Sequence, residues 1–176
     1  ARGASGTHGR KGGLTTRLTG QPPGLLDVLL LEGTKLGSDK PCIGEDALEE
    51  EFVKLFKATV GRVFVAWSAQ NIDRTVTIFR ACLKSNRTLV VDLYTAEVLE
   101  MIAKFSQIPE PGWRNFKVVI TRRFAQMYRR TGRQEFVDRM APHAISARAL
   151  AASPSKWVSM VRPSLIEDYG RGGVVP

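Results

Sequence analysis

Histidine is almost absent from this chain: His8 and His143 are the only two in 176 residues, far apart, and no His-x-His occurs. A dinuclear metal centre needs about six to eight nitrogen, sulfur or carboxylate ligands converging on one pocket, so these residues exclude an imidazole-rich site of that kind. Cysteine is equally scarce. Cys42 and Cys82 form no Cys-x-x-Cys and no ladder of spacings, which argues against a disulfide or zinc scaffold and for a reducing cytoplasm. No apolar run approaches the roughly 18 residues of a membrane span, and the longest, Leu25 to Leu31, is interrupted by Asp27. No secretory signal is read at the start. A glycine-rich dinucleotide fingerprint is missing from the strand-to-helix junctions, so a nicotinamide cofactor has little support.

Basic residues, by contrast, are in excess, giving a formal charge of +9. That surplus favours an anionic partner, most simply nucleic acid. Its distribution says more than its sum. Arg2, Arg10, Lys11 and Arg17 open the chain with no acid among them, and Arg122, Arg123, Arg129, Arg130 and Arg133 form a second acid-free block. The acids Glu45, Asp46, Glu49, Glu50 and Glu51 crowd into one short stretch. Segregation of this kind makes a basic face, and arginine suits phosphate because its planar fork bonds bidentately.

Hydrophobic periodicity places the elements. Asp27-Val28-Leu29-Leu30-Leu31-Glu32 reads as a strand apolar on both faces, ending in a carboxylate. A Gly, Ser, Asp and Pro-rich loop at about 33–44 follows, and divides the chain into a segment 1–44 and a domain 45–176. From Glu45, Leu48, Phe52, Leu55 and Phe56 repeat as one helical stripe. Strands are then expected at Val63–Trp67, Thr88–Asp92, Phe116–Ile120 and Trp157–Val161. Helices are expected between them, with two or three in 122–152 and a last one starting at Pro163. Strand–helix alternation predicts an α/β fold: a mainly parallel β-sheet with flanking helices and right-handed crossovers.

Two places invite chemistry. Ser68-Ala69-Gln70-Asn71-Ile72-Asp73-Arg74 closes a strand and opens a helix, where free backbone N–H groups attract an anion. Ser68 and Asn71 would add neutral hydrogen bonds and Arg74 would reach the same phosphate; simple capping is the competing reading. Asp92, before Tyr94-Thr95, holds the matching place on the next strand and reads as a helix cap more readily than a catalytic acid. The second place is the arginine block, where Arg122, Arg123, Arg129 and Arg130 interleave with Phe124 and Tyr128. These aromatic rings offer stacking for unpaired bases, unless they belong to the core and the arginines form a solvated face.

His8-Gly9-Arg10-Lys11-Gly12-Gly13, then Asp27 to Gly37, then Trp67 to Arg74, form an ordered set that resembles the metallo-β-lactamase-fold nucleases carrying a β-CASP domain, the group of ribonuclease J. The resemblance implies a β-CASP-like domain at 45–176 and, in 1–44, an edge piece of a metallo-β-lactamase core. It implies RNA as partner, metal-assisted phosphodiester hydrolysis as the parent reaction and zinc as the parent cofactor. On the same basis Glu32 takes a latent place beside a metal centre, and Ser68, Asn71 and Arg74 take substrate-binding roles. The His-x-His-x-Asp-His cluster of that family has no counterpart here, so no metal ligand is assigned, no cofactor is expected on this chain, and it is expected to be inactive by itself. The alternative is a non-catalytic oligomeric binding module in which a second copy covers strand 27–31.

Overall fold

The computed structural model describes residues 43–174. The strand at 27–31, Glu32, His8 and Cys42 lie outside the described residues. Within them the chain runs α1 (Glu45–Ala58), β1 (Val63–Val65), α2 (Ile72–Lys84), β2 (Thr88–Asp92), α3 (Leu93–Ala103), β3 (Phe116–Val119), α4 (Arg122–Arg130) and α5 (Gln134–Met140). It continues through β4 (Ala144–Ile145), α6 (Ala147–Ala152), β5 (Trp157–Met160) and α7 (Pro163–Arg171). The expected α/β architecture is present. Five strands pair in the order β1-β5-β2-β3-β4, and every neighbouring pair is parallel.

The pleat sorts side chains between two layers. Leu89 and Val91 of β2, with Phe116 and Val118 of β3, pack under α2, α3, α4 and α5 through Ile78, Phe79, Leu99, Tyr128 and Phe136. Val90, Val119 and Trp157 face the other way, against Leu150 of α6 and Leu165 and Tyr169 of α7. β2 is buried at all five positions, as expected of a central strand covered on both faces. α7 closes tightly on α6: a Cβ built on Gly172 would sit 2.2 Å from the Cβ of Ala147.

α1 departs from its expected stripe. Phe56 is buried, but Leu55 is 53% exposed, while Glu45 and Glu49 are turned inward. The cause is α2, which presents cations at matching spacing. The Arg74 guanidinium grips Glu45, its Nε 3.2 and 3.1 Å and its Nη2 3.0 Å from the carboxylate oxygens, and Thr77 Oγ1 donates to the same carboxylate at 2.7 Å. Glu49 takes Arg80 at 3.2 Å and Lys84 at 2.6 Å. Buried charge is tolerated when it is paired in this way. Two of the acids crowded into this stretch, Glu45 and Glu49, are therefore the means by which α1 docks on α2.

Candidate anion-binding site

β5 is last in the chain yet lies between β1 and β2. The helices following β1 and β2 cover one face of the sheet and the helix following β5 covers the other. Where successive helices diverge like this, a crevice opens at the carboxyl ends of the strands, the usual ligand position in open α/β sheets. Such a crevice is present, of about 390 Å³, lined by Trp67, Ser68, Ala69, Gln70, Tyr94 and Arg162.

Each lining residue is set by its element. Ser68 opens the turn after β1, accepting a hydrogen bond from Gln70 N at 3.3 Å on its hydroxyl and one from Asn71 N at 2.9 Å on its carbonyl. Trp67 is fixed by its indole N–H, which donates to Thr75 Oγ1 at 2.9 Å. Tyr94 stands in the first turn of α3. Arg162 is the residue before Pro163, at the N-cap of α7, and it has no side-chain acceptor to cap with. Its guanidinium turns instead to Asp92, whose Oδ2 lies 3.0 Å from Nη2. Asp92 is completely buried. Its other oxygen, Oδ1, accepts Thr95 N at 2.8 Å and caps α3, as expected from the sequence. Nη2 of Arg162 also donates to Thr95 Oγ1 at 3.2 Å, and the guanidinium carbon sits 5.8 Å from the centre of the Tyr94 ring.

One end of this guanidinium is therefore anchored, while among the described residues Nε and Nη1 donate to nothing. Asp92 and Thr95 hold the Nη2 corner and the Tyr94 ring lies alongside, which orients the guanidinium and leaves Nε and Nη1 open. Behind it, Tyr169 donates its hydroxyl to Met160 O at 2.9 Å. Burial first, and the Asp92 carboxylate second, push that phenol well above its ordinary range, so it remains a donor.

The residues picked out by sequence divide. Ser68 lines the crevice. Asn71 lies beside it but is occupied as a cap, its Oδ1 accepting Arg74 N at 3.1 Å. Arg74, expected to reach the same phosphate, is instead held by Glu45. Replacing Asn71 with alanine should lower stability by about 1 kcal/mol and leave anion affinity unchanged. Urea denaturation beside a binding titration checks both halves, and an affinity loss without a stability loss would assign Asn71 to the ligand after all.

The arginine block is also split by its neighbours. Arg129 Nε donates to Gln134 Oε1 at 2.7 Å, and Arg133 pairs with Glu97 at 3.1 Å while lying 4.2 Å over the ring of Tyr128. Tyr128 is fully buried and its hydroxyl donates to Glu97 at 2.5 Å, so this ring is core and not a stacking platform. Arg123 and Arg130 are exposed and line a second cavity of about 520 Å³ with Phe124, Gln126, Met127, Thr131 and Ser164. Arg122 is exposed beside them but does not line it.

Sequence reasoning missed Arg162 altogether. The signal was an arginine directly between an apolar strand and a helix-opening proline, a cap position where Ser, Thr, Asp or Asn is usual. Zinc, which the resemblance implies for a whole nuclease, meets no donor set here: among the described residues no three His, Cys, Asp or Glu side chains gather in a way that could hold a metal ion. None of the described helices is long and apolar enough to cross a membrane. Comparison of the chain with family models, with curated proteins and with solved structures finds no match.

Proposed function

We propose that this domain binds nucleic acid, most simply RNA, and seats a backbone phosphate in the crevice at the carboxyl ends of β1, β5 and β2. The observation that carries this reading is Arg162: a guanidinium braced by a buried carboxylate, two nitrogens uncommitted, in a crevice that also offers the Ser68 hydroxyl, the Gln70 amide and the Tyr94 ring. Arginine in that state can donate charge-assisted hydrogen bonds to phosphate oxygens from its free N–H groups. The +9 charge of the chain supplies the long-range attraction.

The ordered motifs resembling β-CASP nucleases support the same reading, and within it the domain is the substrate-holding part of a phosphodiester hydrolase. Hydrolysis itself is assigned to no described residue. What these side chains do is bind and orient: Arg162 fixes a phosphate, and Tyr94 stacks beside the adjoining sugar or base.

Fluorescence anisotropy with a labelled single-stranded RNA tests the proposal. Affinity should fall linearly on a log–log plot against salt, by about 0.7 per phosphate contacted. Arg162→Lys keeps the charge but loses the fork, and should weaken binding about ten-fold with the urea midpoint nearly unchanged. RNA binding indifferent to both salt and Arg162→Lys would remove the crevice from the account.

A further inference from the structure

Resting on the nucleic-acid reading, we propose that the cavity between α4 and the start of α7 is a second phosphate-and-base subsite on the same bound strand, with Arg123 and Arg130 as its phosphate ligands. Gln126 and Met127 stand three and four residues after Arg123, and Arg130 stands four and three residues after them, so the four form a single stripe along α4. The opposite side of that helix is spent on the core through Ala125 and Tyr128. Seven residues of helix set the two arginine backbones about 10 Å apart. Between them lie an amide, a thioether and the edge of the Phe124 ring, with Ser164 closing the far wall.

Neither arginine has a hydrogen-bonding, ionic or ring partner among the described residues, whereas Arg129, Arg133 and Arg139 are all engaged. Two unpaired cations separated by a partly apolar floor suit consecutive backbone phosphates with a base lying between them. An acidic peptide would satisfy the charges but leave that floor without a partner.

Position ties this cavity to the first. Arg162 lines the crevice and Ser164 lines the groove, and two residues of chain separate their Cα atoms by at most ~7 Å. The strands beneath run β5, β2, β3, and α4 begins just beyond β3. A strand of nucleic acid leaving the crevice past Tyr94 therefore meets the groove along the same edge of the sheet.

Binding of RNA oligomers of increasing length, to the whole chain and to Arg123→Gln/Arg130→Gln, decides the matter. Glutamine is a good helix former and both sites are exposed, so the fold should be retained. The unaltered chain should gain affinity in two steps as the oligomer lengthens, the second when it first reaches the groove. The double variant should lose the second step, bind long oligomers about 30-fold more weakly, and show a salt slope shallower by about 1.4. Short oligomers should bind it as before. If long RNA binds the double variant unchanged while Arg162→Lys still weakens it, the groove is not a subsite and the crevice reading stands. If the unaltered chain binds no RNA of any length, the crevice reading falls and this inference with it. Displacement of RNA from the groove by polyglutamate at equal charge would overturn the nucleic-acid assignment of the groove alone.

Discussion

Replacing Arg162 with methionine should lower the stability of the domain by about 3–5 kcal/mol, a large share of what a domain of this size possesses. Asp92 is wholly enclosed, and Arg162 is the one cation within ion-pair distance of it among the described residues. Oδ1 is already committed to Thr95 N, so losing the guanidinium leaves a buried negative charge with no counter-ion. Methionine fills the space of the stem and isolates the electrostatic part of the effect. Arg162 is 27% exposed on its side chain, and water entering from the crevice sets the result nearer the lower figure. Converting Asp92 to asparagine as well should restore most of the loss, because the orphaned charge is gone. Urea denaturation of the two single variants and the double variant measures the coupling. A single variant within about 1 kcal/mol of the parent would show that the pair does not hold the guanidinium in place.

Arg87→Ala is expected to cost about 2–4 kcal/mol. Arg87 is 5% exposed although it sits in the three-residue step between α2 and β2. Its guanidinium reaches back across the chain to three carbonyls: Nε donates to Phe56 O at 3.0 Å, Nη1 to Gly61 O at 3.1 Å, and Nη2 to Thr59 O. Those acceptors include a terminal carbonyl of α1 and the loop leading to β1, groups with no helical donor of their own. A positive charge at a helix C-terminus adds a favourable dipole contribution. Hydrogen bonds to a charged donor contribute about 1.5–3 kcal/mol each, but the Thr59 and Gly61 carbonyls lie near the surface and water replaces part of what they lose. Arg87→Lys, with one rotating ammonium in place of a fork, should recover only part. Denaturation midpoints rank the three proteins, and hydrogen exchange should show early opening of the α1 C-terminus. Equal midpoints for arginine and lysine would mean that charge, not the fork, holds the loop.

Much of this architecture is legible in the chain, because it rests on local pattern. The run Thr88–Asp92 is buried throughout, and a continuous apolar run needs no partner to be recognised. The proline at 163 marks the start of α7, since its missing N–H costs nothing there. Strand order is different. Nothing local says that β5 inserts between β1 and β2, so the crevice that this order creates was visible only through Ser68, which lines it, and Asp92, buried behind Arg162. The two-residue β4 carries too little pattern to read. Leu55 and Phe105 match a helical stripe by spacing but face outward; α1 docks by charge, and Phe105 falls beyond the end of α3. Arg74 was misdirected for the same reason, because its acid partner lies 29 residues away on another helix.

That central insertion has a consequence for synthesis on the ribosome. Among the described residues β1 pairs with β5 alone, so roughly ninety amino acids must emerge after it before that neighbour exists. Through that interval the nascent polypeptide holds a gap one strand wide in the middle of its sheet, bordered by the unsatisfied edge of β2. β5 is the keystone, and Arg162 follows it by two residues. The sheet and the crevice at its carboxyl ends are therefore completed within a few codons of each other.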